Sequence, residues 1–428
     1  MDVGLDLERT PFYEKELSLR VARSYGPGRY DRSYEGWSVD YPVGHVPFTE
    51  GRNLESVLGL MEAGSLEVDD LITHRFSFDE AEAAYAVLGD RGAEYLGIQL
   101  EYGERRSPPI TTPRTVRATG KPSIALIGAG TFAKGVLLPA IREAELGTVS
   151  TVSSAGGTSA ARVAERIGAS ATSVDDALDD DSTDIAMIAT SHDSHAELAV
   201  RALKAGKDVF CEKPLALTVQ ELDDVRTAWV ESGSSLAVGF NRRHAPDIEK
   251  ARRILGRSGT PLVVNYRVNA GSLPASHWYL DRRQGGRLLG EVCHFIDTCN
   301  AIVGNEVLSV SAFGDHVPES LLSQNVVVSL SYSDGSVASI TYASGGHSST
   351  PKERLEVLGR GHTIVIDDFR SIEIDGQLTK HPQDKGHTAQ LVAWARAREV
   401  GSTAETLESL ASMSAVLDAV ASISKLPG

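Results

Sequence analysis

The stretch that decides the fold is IALIGAGTFAKG, residues 124–135, in which an apolar strand runs into a glycine turn and then into a helix. Gly128 permits the tight turn, Gly130 lets backbone approach a pyrophosphate, and Ala133 allows close packing of helix on strand. The helix that follows points its free N–H groups towards that phosphate. The predicted cofactor contacts on this turn are Gly128, Gly130, Thr131, Phe132 and Ala133.

The surrounding residues, 122–240, alternate short apolar strands with amphipathic helices. Strands are predicted at 123–127, 148–153, 184–190, 207–211 and 235–240. Helices are predicted at 132–145, 159–168, 195–206 and 219–232. Repeated βαβ units of this kind predict a doubly wound parallel sheet, a Rossmann domain, with helices on both faces. In that context the glycine turn indicates dinucleotide binding, whereas alone it could be a purely steric turn.

The end of the second predicted strand bears on which nicotinamide cofactor binds. An NAD site usually offers an acidic residue there to the ribose hydroxyls, but TVSSAGGTSAAR, residues 151–162, has none. Ser153, Ser154 and Arg162 could instead hold a 2′-phosphate, which favours NADP slightly over NAD. The alternative is a plain turn, with Arg162 on a solvated helix face.

Residues 241–428 change to longer alternating strands, which predict an α+β domain with a mostly antiparallel, open sheet. Strands are predicted at 261–270, 306–315, 325–344, 354–361 and 362–368. The pair Asp334-Gly335 is a hairpin signal. Two helices are predicted to follow, at 387–399 and 402–424.

The beginning of the chain has a different composition. Residues 1–103 mix Tyr, Gly and Pro with two helical patterns, at 52–66 and 77–92, and predict a small α/β segment. Residues 104–121 are polar, basic and proline-rich, which predicts a linker.

Composition excludes several classes of function. The net charge of −16 over 428 residues argues against nucleic acid and against an anionic membrane surface. No apolar run approaches the length that spans a bilayer, and the N-terminus does not resemble a secretion signal. Three cysteines without metal spacing predict neither a metal site nor disulfides, so a cytoplasmic location is expected.

Three stretches carry a family resemblance: GAGTFA, then IATSHDSHAELAVRALKAGKDVFCEKPLALT, then GGRLLGEVCHFID. Over about residues 122–425 the chain resembles the Gfo/Idh/MocA oxidoreductases. The resemblance implies reversible hydride transfer between NAD or NADP and a carbinol of a sugar, aminosugar or cyclitol. It also implies a homo-oligomer, a dimer or tetramer, formed through the open sheet.

Lys213, in the sequence CEKP, matches the active-site lysine of that family. Ligands of open parallel sheets lie beyond the carboxyl ends of the strands, and Lys213 with Glu212 comes at such an end. The ammonium can therefore polarise the reacting oxygen, and partial burial is expected to lower the pKa of Lys213. Pro214 stops the strand there. The alternative is a lysine that merely extends from a strand end to solvent.

The third stretch, residues 285–297, departs from the commonest family pattern. Gly290 stands where many relatives have an aspartate, and Glu291 follows it. His294 is the predicted general acid/base, with a buried core histidine as the alternative. On a regular helix Glu291 is rotated about 100° from position 290. It either takes over the carboxylate role and assists Lys213 and His294 in catalysis, or is structural, because the helix dipole also favours a glutamate at a helix start. Asp297 keeps the family's substrate-facing position.

Further candidates are weaker. The resemblance places Thr190, His192 and His195 beside the cofactor, and no spacing supports them as metal ligands. Arg242 and its neighbour Arg243 could clamp a substrate or form a solvated turn. Trp278 and Tyr279 suit a sugar pocket or core packing equally. The stretch DKGH, residues 384–387, precedes a helix and could cap it or contact substrate.

The first hundred residues resemble the C-terminal end of a zinc-type, medium-chain alcohol dehydrogenase. The resemblance is carried by KELSLRVARSYGPGRYD, ESVLGLMEAGSL and LITHRFSFDEAEAAYAVL. The zinc ligands and first Rossmann half of such an enzyme are absent, so a complete second enzyme is excluded. A remnant that packs or oligomerises, a segment completing a separate dehydrogenase subunit, and a start site inside a longer protein all remain open.

Three functions are therefore weighed. The leading one is an NAD(P)-dependent oxidoreductase acting on a CH–OH group of a sugar, aminosugar or cyclitol. The alternatives are lyase or glycosidase chemistry through transient oxidation with tightly bound NAD, and a non-catalytic cofactor-binding subunit of a partner dehydrogenase. Fold alone does not choose among them.

Overall fold

The computed structural model describes residues 8–18, 26–29, 41–42, 44–89, 92, 94–101, 121–154, 158–256, 260–273, 277–314 and 323–424. The chain forms two compact units, Met1–Ser107 and Pro108–Gly428. The predicted linker at 104–121 lies outside the described residues, apart from Lys121.

The first unit is a small α/β segment. Its strands β1, Ile72–Ser77, and β2, Gly97–Glu101, pair in parallel. Its helices are Arg9–Glu14, Glu50–Glu62 and Ala81–Gly89. The helix Glu50–Glu62 buries none of its side chains. Much of the first quoted stretch of the dehydrogenase resemblance lies outside the described residues, and that resemblance stays a prediction.

The second unit begins with a six-stranded parallel sheet in the order β5-β4-β3-β6-β7-β8. The strands are β3 Ser123–Ile127, β4 Thr148–Ser153, β5 Ser170–Ala171, β6 Ile185–Ile188, β7 Asp208–Cys211 and β8 Leu236–Val238. The helices between them are Leu138–Glu143, Thr158–Ile167, Val174–Asp179, His195–Lys204 and Val219–Ser232. The strand order reverses between β3 and β6, the place where such sheets bind ligands. The predicted Rossmann fold is confirmed.

An eight-stranded sheet follows, in the order β10-β11-β12-β9-β13-β14-β15-β16. Its strands are β9 Val263–Asn269, β10 Val307–Gly314, β11 Val326–Tyr332, β12 Val337–Ala343, β13 Glu353–Gly359, β14 His362–Asp367, β15 Ser371–Ile374 and β16 Gln377–Lys380. Every neighbouring pair is antiparallel except β9 with β12. The mostly antiparallel sheet is therefore confirmed, including the hairpin at Gly335, where φ is 83°.

Two features of this region were not predicted. A helix, Pro246–Leu255, joins the two sheets, and the hairpin β15–β16 extends the second sheet at its edge. All side chains of β16 are exposed. Its sequence therefore lacks the alternation of apolar and polar residues from which a half-buried strand is predicted.

The last two helices return the chain to the Rossmann sheet. Helix His387–Val400 packs Trp394 against Phe210 of β7, with ring centroids 5.8 Å apart. Helix Ala404–Ser424 contains a window long and apolar enough to cross a membrane, yet 56% of that window is buried. Its buried residues include Leu410, Met413 and Val416. The apolar character of this helix is therefore accounted for by packing in the core.

Candidate active site

The glycine turn after β3 lies at the switch point of the sheet. Gly128 has φ of 107°, and a Cβ on it would lie 2.2 Å from the carbonyl oxygen of Ala189, at the end of β6. No other residue fits there. A Cβ on Gly130 would have no atom within 4 Å, so that position leaves an open cradle beside the backbone. The cradle suits a pyrophosphate, in keeping with the predicted cofactor turn.

The helix that starts at Thr131 completes this cradle. Thr131 and Phe132 are exposed at its first turn, and Ala133 is 1% exposed against the sheet. The first N–H groups of a helix have no partner within it, and they suit a phosphate. A π-helical turn, Ala133–Leu137, follows at once, as is frequent at functional sites.

The three residues predicted to hold a 2′-phosphate have separate environments. Ser153 is fully buried, and its hydroxyl donates to the carbonyl of Ser173 at 3.1 Å. The Ser154 hydroxyl lies 3.0 Å from that of Ser159, while Arg162 is exposed on its helix. The hydroxyl of Ser153 is thus engaged inside the fold, which differs from the predicted phosphate contact. Residues 155–157 lie outside the described residues.

A cavity of about 320 Å³ lies beyond the carboxyl ends of β6 and β7. The described residues that line it come mostly from loops after the Rossmann strands, from the 285–297 motif, from the loop before β13 and from the start of the helix His387–Val400. They are Phe132, Ala189, Thr190, His192, His195, Glu212, Lys213, Asn241, Arg242, Trp278, Tyr279, Glu291, His294, Phe295, Lys352, Lys385 and His387. Residues far apart in the sequence are thereby brought to one place.

Lys213 reaches across this cavity. Its Nζ donates to the carbonyl oxygen of Gly290 at 2.7 Å, which joins the Rossmann sheet to the third sequence motif. Burial opposes the charge, but interactions with neighbouring groups, among them Tyr279 and the carboxyl groups of Glu212 and Glu291, outweigh burial and raise the pKa of Lys213. This corrects the expected lowering. Lys213 is consequently a cation at neutral pH, which donates hydrogen bonds and does not accept a proton.

Glu212 is buried beside Lys213. Burial raises the pKa of Glu212 to about 7, although the neighbouring ammonium acts in the opposite direction. Its carboxyl group lies over Gly239, where a Cβ would come within 2.8 Å of it. Glu212 is therefore a group whose charge changes close to neutral pH.

The third motif begins with a second π-helical turn, Leu288–Val292, and continues as the helix Cys293–Val303. The wider turn changes the angular relation expected of a regular helix, and Glu291 faces the cavity as a result. Its carboxylate accepts a hydrogen bond from the Tyr342 hydroxyl and lies 3.6 Å from Arg287 and 3.8 Å from Lys352. Glu291 is held by three partners, which favours a structural or positioning role.

His294 lies one turn further on, with its ring edge towards Phe240. Its Nδ1 is buried and has no hydrogen-bond partner among the residues that the structure describes. Burial, followed by the charges of Arg242 and Lys213, keeps the pKa of His294 well below its ordinary value. The imidazole is therefore neutral at pH 7, and a neutral imidazole can accept a proton at its unprotonated nitrogen.

The two histidines predicted beside the cofactor connect neighbouring loops. His192 Nδ1 lies 2.8 Å from the carbonyl of Gln284, and burial lowers the pKa of His192 to about 3. His195 Nδ1 lies 2.8 Å from the carbonyl of Pro214 and so holds the loop that carries Lys213. Thr190 also faces the cavity, with its hydroxyl 2.7 Å from that of Ser194.

Aromatic rings form one wall of the cavity. The centroids of Trp278 and Tyr279 are 4.3 Å apart, and that of His192 is 4.8 Å from Trp278. Trp278 is 47% exposed, so it is not a core residue. Exposed aromatic faces beside polar groups suit the C–H faces of a sugar ring, as predicted for this pair.

Arg242 lines the cavity but is held from behind by a carboxylate. Both its Nε and Nη2 donate to Glu353, at 2.8 and 2.9 Å. Lys385 and the Tyr266 hydroxyl donate to the same carboxylate, at 2.6 and 2.8 Å. Burial opposes the charge of Glu353, but Arg242 and Lys385 hold its pKa well below the ordinary value. The positive charge of Arg242 is thus largely neutralised by Glu353, which makes Arg242 a weaker clamp for an anionic substrate than predicted.

Asp297 lies away from the cavity. It is fully buried, and Arg243 Nε donates to its carboxylate at 3.0 Å. Arg243 also pairs with Glu408 at 2.8 Å. This placement differs from the substrate contact predicted for Asp297, because the carboxylate is required as the counter-charge of a buried guanidinium.

One cavity residue carried no signal in the sequence, and two others belong to a stretch that the sequence analysis singled out. Lys352 precedes β13 within a polar loop, and nothing in its neighbourhood marks it. Lys385 and His387 belong to the stretch DKGH, where Asp384 accepts a hydrogen bond from the Gly386 N–H at 2.8 Å. The rings of His387 and Phe132 lie 6.0 Å apart, centroid to centroid. No group of three or more metal-type ligands occurs within the ranges that the structure describes.

Two family models match this unit. Residues 123–240 match the oxidoreductase family with an NAD-binding Rossmann fold, and residues 248–365 match the GFO/IDH/MocA C-terminal domain. The chain belongs to the Gfo/Idh/MocA family of oxidoreductases. The resemblance carried by the glycine turn, the CEKP lysine and the 285–297 motif is thereby confirmed.

Named relatives match part of the chain. A 1,5-anhydro-D-fructose reductase from Ensifer adhaerens is 32% identical over 188 residues, 42% of this chain and 56% of that protein. A myo-inositol 2-dehydrogenase from Thermotoga maritima is 28% identical over 219 residues, 49% of this chain and 63% of that protein. The chain thus spans little more than half the length of these relatives.

A solved structure shares the fold. A levoglucosan dehydrogenase, solved in complex with NADH and levoglucosan, aligns with a TM-score of 0.60 over 71% of this chain and 97% of that one, at 21% identity. This likeness supports the two-sheet architecture.

Proposed function

We propose that this Gfo/Idh/MocA family member is an NAD(P)-dependent oxidoreductase acting on a CH–OH group of a sugar, aminosugar or cyclitol. One observation carries the proposal: a cationic Lys213, anchored on the Gly290 carbonyl, and a neutral His294 line the same cavity. A donor for the reacting oxygen and an acceptor for its proton are the two groups that carbinol oxidation needs from the protein.

The cofactor would be held by the chain's own turn and helix start, with Gly130 providing the cradle and Phe132 at the cavity wall. The nicotinamide, when bound, supplies the hydride chemistry. Lys213 donates to the substrate oxygen and stabilises the charge that develops there. His294 takes the hydroxyl proton during oxidation and returns it during reduction. The aromatic wall orients the ring carbon that reacts.

The choice between NAD and NADP would depend on Ser154 and Arg162, because no carboxylate follows β4 in the sequence. We expect a slight preference for NADP, since Arg162 is exposed and available to a 2′-phosphate. Calorimetric titration with NADH and NADPH, on the wild type and on Arg162→Ala, measures this. Loss of affinity for NADPH alone supports the assignment, and equal loss for both cofactors contradicts it.

We also propose a homo-oligomer formed through the open face of the eight-stranded sheet. Val337, Val263 and Leu358 lie side by side on neighbouring strands and are 45%, 42% and 37% exposed. A row of exposed apolar side chains across neighbouring strands indicates a surface that a second subunit covers. A two-fold axis would pack this face against the same face of the other subunit. Light scattering should show a dimer or tetramer, with monomers for Val263→Lys.

The function is tested by incubating the protein with NAD or NADP and a panel of polyols. The panel includes myo-inositol and levoglucosan, with 1,5-anhydro-D-fructose offered together with reduced cofactor. The absorbance of the reduced nicotinamide is followed. Net oxidation or reduction of at least one compound supports the proposal. Retained NAD that undergoes no net redox change while a glycosidic bond is cleaved would favour the lyase or glycosidase alternative.

A further inference from the structure

Tyr279 opens on the reaction cavity from a short 3₁₀ turn, Trp278–Leu280. His277 caps this turn by accepting a hydrogen bond from the Tyr279 N–H at 3.2 Å. The Tyr279 ring packs on Trp278 and lies 5.4 Å, centroid to centroid, from His192. Capping and ring contacts together restrict the directions in which the phenol can point.

Gly290 provides the room that this arrangement needs. A Cβ on Gly290 would lie 2.8 Å from His192 Cε1, 3.4 Å from Tyr279 Cε1 and 3.5 Å from Tyr279 Cζ, the carbon that carries the hydroxyl. A side chain at 290 would therefore collide with His192, whereas its contacts with Tyr279 would be of ordinary van der Waals length. The phenol thus lies beside the backbone whose carbonyl oxygen anchors Lys213.

The hydrogen-bond capacity of the two groups fixes their roles. The Lys213 ammonium has three donors and no acceptor, and one donor goes to Gly290. The Tyr279 phenol interacts electrostatically with the same ammonium and lines the same cavity, and because an ammonium only donates, the phenol oxygen is the atom that can accept from it. The Tyr279 O–H is then left to donate elsewhere, as is one N–H of Lys213.

We propose that Tyr279 is a further catalytic residue, whose O–H donates to the reacting oxygen of the polyol together with an N–H of Lys213. This inference rests on the proposed function. Two preorganised donors aimed at an oxygen on which negative charge develops stabilise the transition state more than the ground state. Burial raises the pKa of Tyr279, so the phenol stays protonated and keeps this donor over the working pH range.

The step balances with the groups already described. During oxidation a bound nicotinamide would accept the hydride of the carbinol C–H, while the O–H proton would pass to His294. The oxygen becomes a carbonyl that still accepts from Lys213 and Tyr279. During reduction His294 returns the proton, and the two donors stabilise the alkoxide character of the oxygen. Tyr279 holds its own proton throughout.

The first arm of the test compares Tyr279→Phe with Tyr332→Phe. Both variants remove one phenol hydroxyl, but Tyr332 is buried away from the cavity, with its hydroxyl on Asn300 at 2.9 Å. On a substrate found in the polyol panel, Tyr279→Phe should lower kcat about 100-fold, with KM, cofactor Kd and Tm close to wild type. The pH profile should keep its shape, since His294 remains. Tyr332→Phe should keep the wild-type kcat.

The second arm needs no substrate. Loss of the phenol oxygen removes an acceptor from the buried ammonium, so Lys213 should lose its proton more readily. Acetic anhydride should then label Lys213 several-fold faster in Tyr279→Phe than in wild type or Tyr332→Phe, as measured by peptide mass spectrometry. Unchanged labelling overturns the pairing, and unchanged kcat overturns the catalytic role. If the wild type turns over no polyol but Lys213 is still labelled faster in Tyr279→Phe, the pairing holds and the proposed function is what fails.

Discussion

The two halves of the candidate site are built by different means. The cofactor half, at the ends of β3 and β6, consists of backbone shape: Gly128 fits where a Cβ would lie 2.2 Å from a carbonyl, and Gly130 leaves open space. The substrate half consists of long side chains from separate segments, joined through Gly290 and Glu353. A local turn can be built by its own sequence, whereas the substrate half exists only once both sheets are in place.

This contrast implies different consequences of mutation. Changes in the cofactor half should act through sterics and should leave the charge network alone. Changes in the substrate half should release buried charges and should act far from the residue that is replaced. The predictions below test that distinction, from the largest expected effect to the smallest.

The buried network around Glu353 should be the most sensitive point. Glu353→Gln leaves Arg242 and Lys385 without their shared counter-charge, and we expect the free energy of unfolding to fall by about 3–5 kcal/mol. Arg354→Gln, the next residue on β13, breaks an ion pair with Asp367 in which Arg354 is 45% exposed. That control should cost less than about 1 kcal/mol. If chemical denaturation shows equal losses of unfolding free energy in Glu353→Gln and Arg354→Gln, buried charge pairs are not what holds the substrate half together.

The two glycines of the cofactor turn should separate folding from binding. Gly128→Ala forces a side chain into a backbone of φ 107° against Ala189, and we expect it to lose about 2–3 kcal/mol of stability. Gly130→Ala meets no atom within 4 Å, so the apo protein should keep its Tm. Both variants should bind NADH or NADPH at least about tenfold more weakly. A destabilised Gly130→Ala would show that its open space is not a ligand cradle.

Glu212 should make stability depend on pH. Its pKa is raised from an ordinary 4.5 to about 7 in the folded protein, so the folded state binds more protons than the unfolded state between those values. Stability should therefore fall as pH rises through this window, by on the order of 2–3 kcal/mol, and Glu212→Gln should remove that fall. Thermal melts between about pH 5 and pH 8 measure it. Glu165→Gln, an exposed glutamate, should behave as wild type, and an unchanged slope in Glu212→Gln would refute the assignment.

The sequence predicted the cofactor half of the site better than the substrate half. The strands Ser123–Ile127 and Thr148–Ser153 and the helix Val219–Ser232 agree with the predicted bounds. Their signals are local: apolar strands, a glycine turn, and Thr218 with Glu221 as a capping box. Lys213 could be singled out because it lies next to a strand end within a family motif.

The substrate half could be predicted only in part. Regular helix geometry left the role of Glu291 open, because it is rotated from position 290, whereas the π-helical turn at Leu288–Val292 brings it to the cavity. Asp297 was given a substrate contact because its partner, Arg243, lies 54 residues away in sequence. Lys352 carried no signal. Side chains whose role depends on long-range partners cannot be assigned from local pattern.

The most direct test of the central claim is turnover by Lys213→Ala, measured beside its cofactor affinity. The control is Lys204→Ala, an exposed lysine at the end of the helix His195–Lys204. We predict that Lys213→Ala keeps the Kd for its nicotinamide cofactor within a few-fold and loses about 1,000-fold or more in kcat on the polyol that wild type turns over. Lys204→Ala should match wild type in both. Undiminished turnover in Lys213→Ala would contradict the assignment of this cavity as the site of hydride transfer.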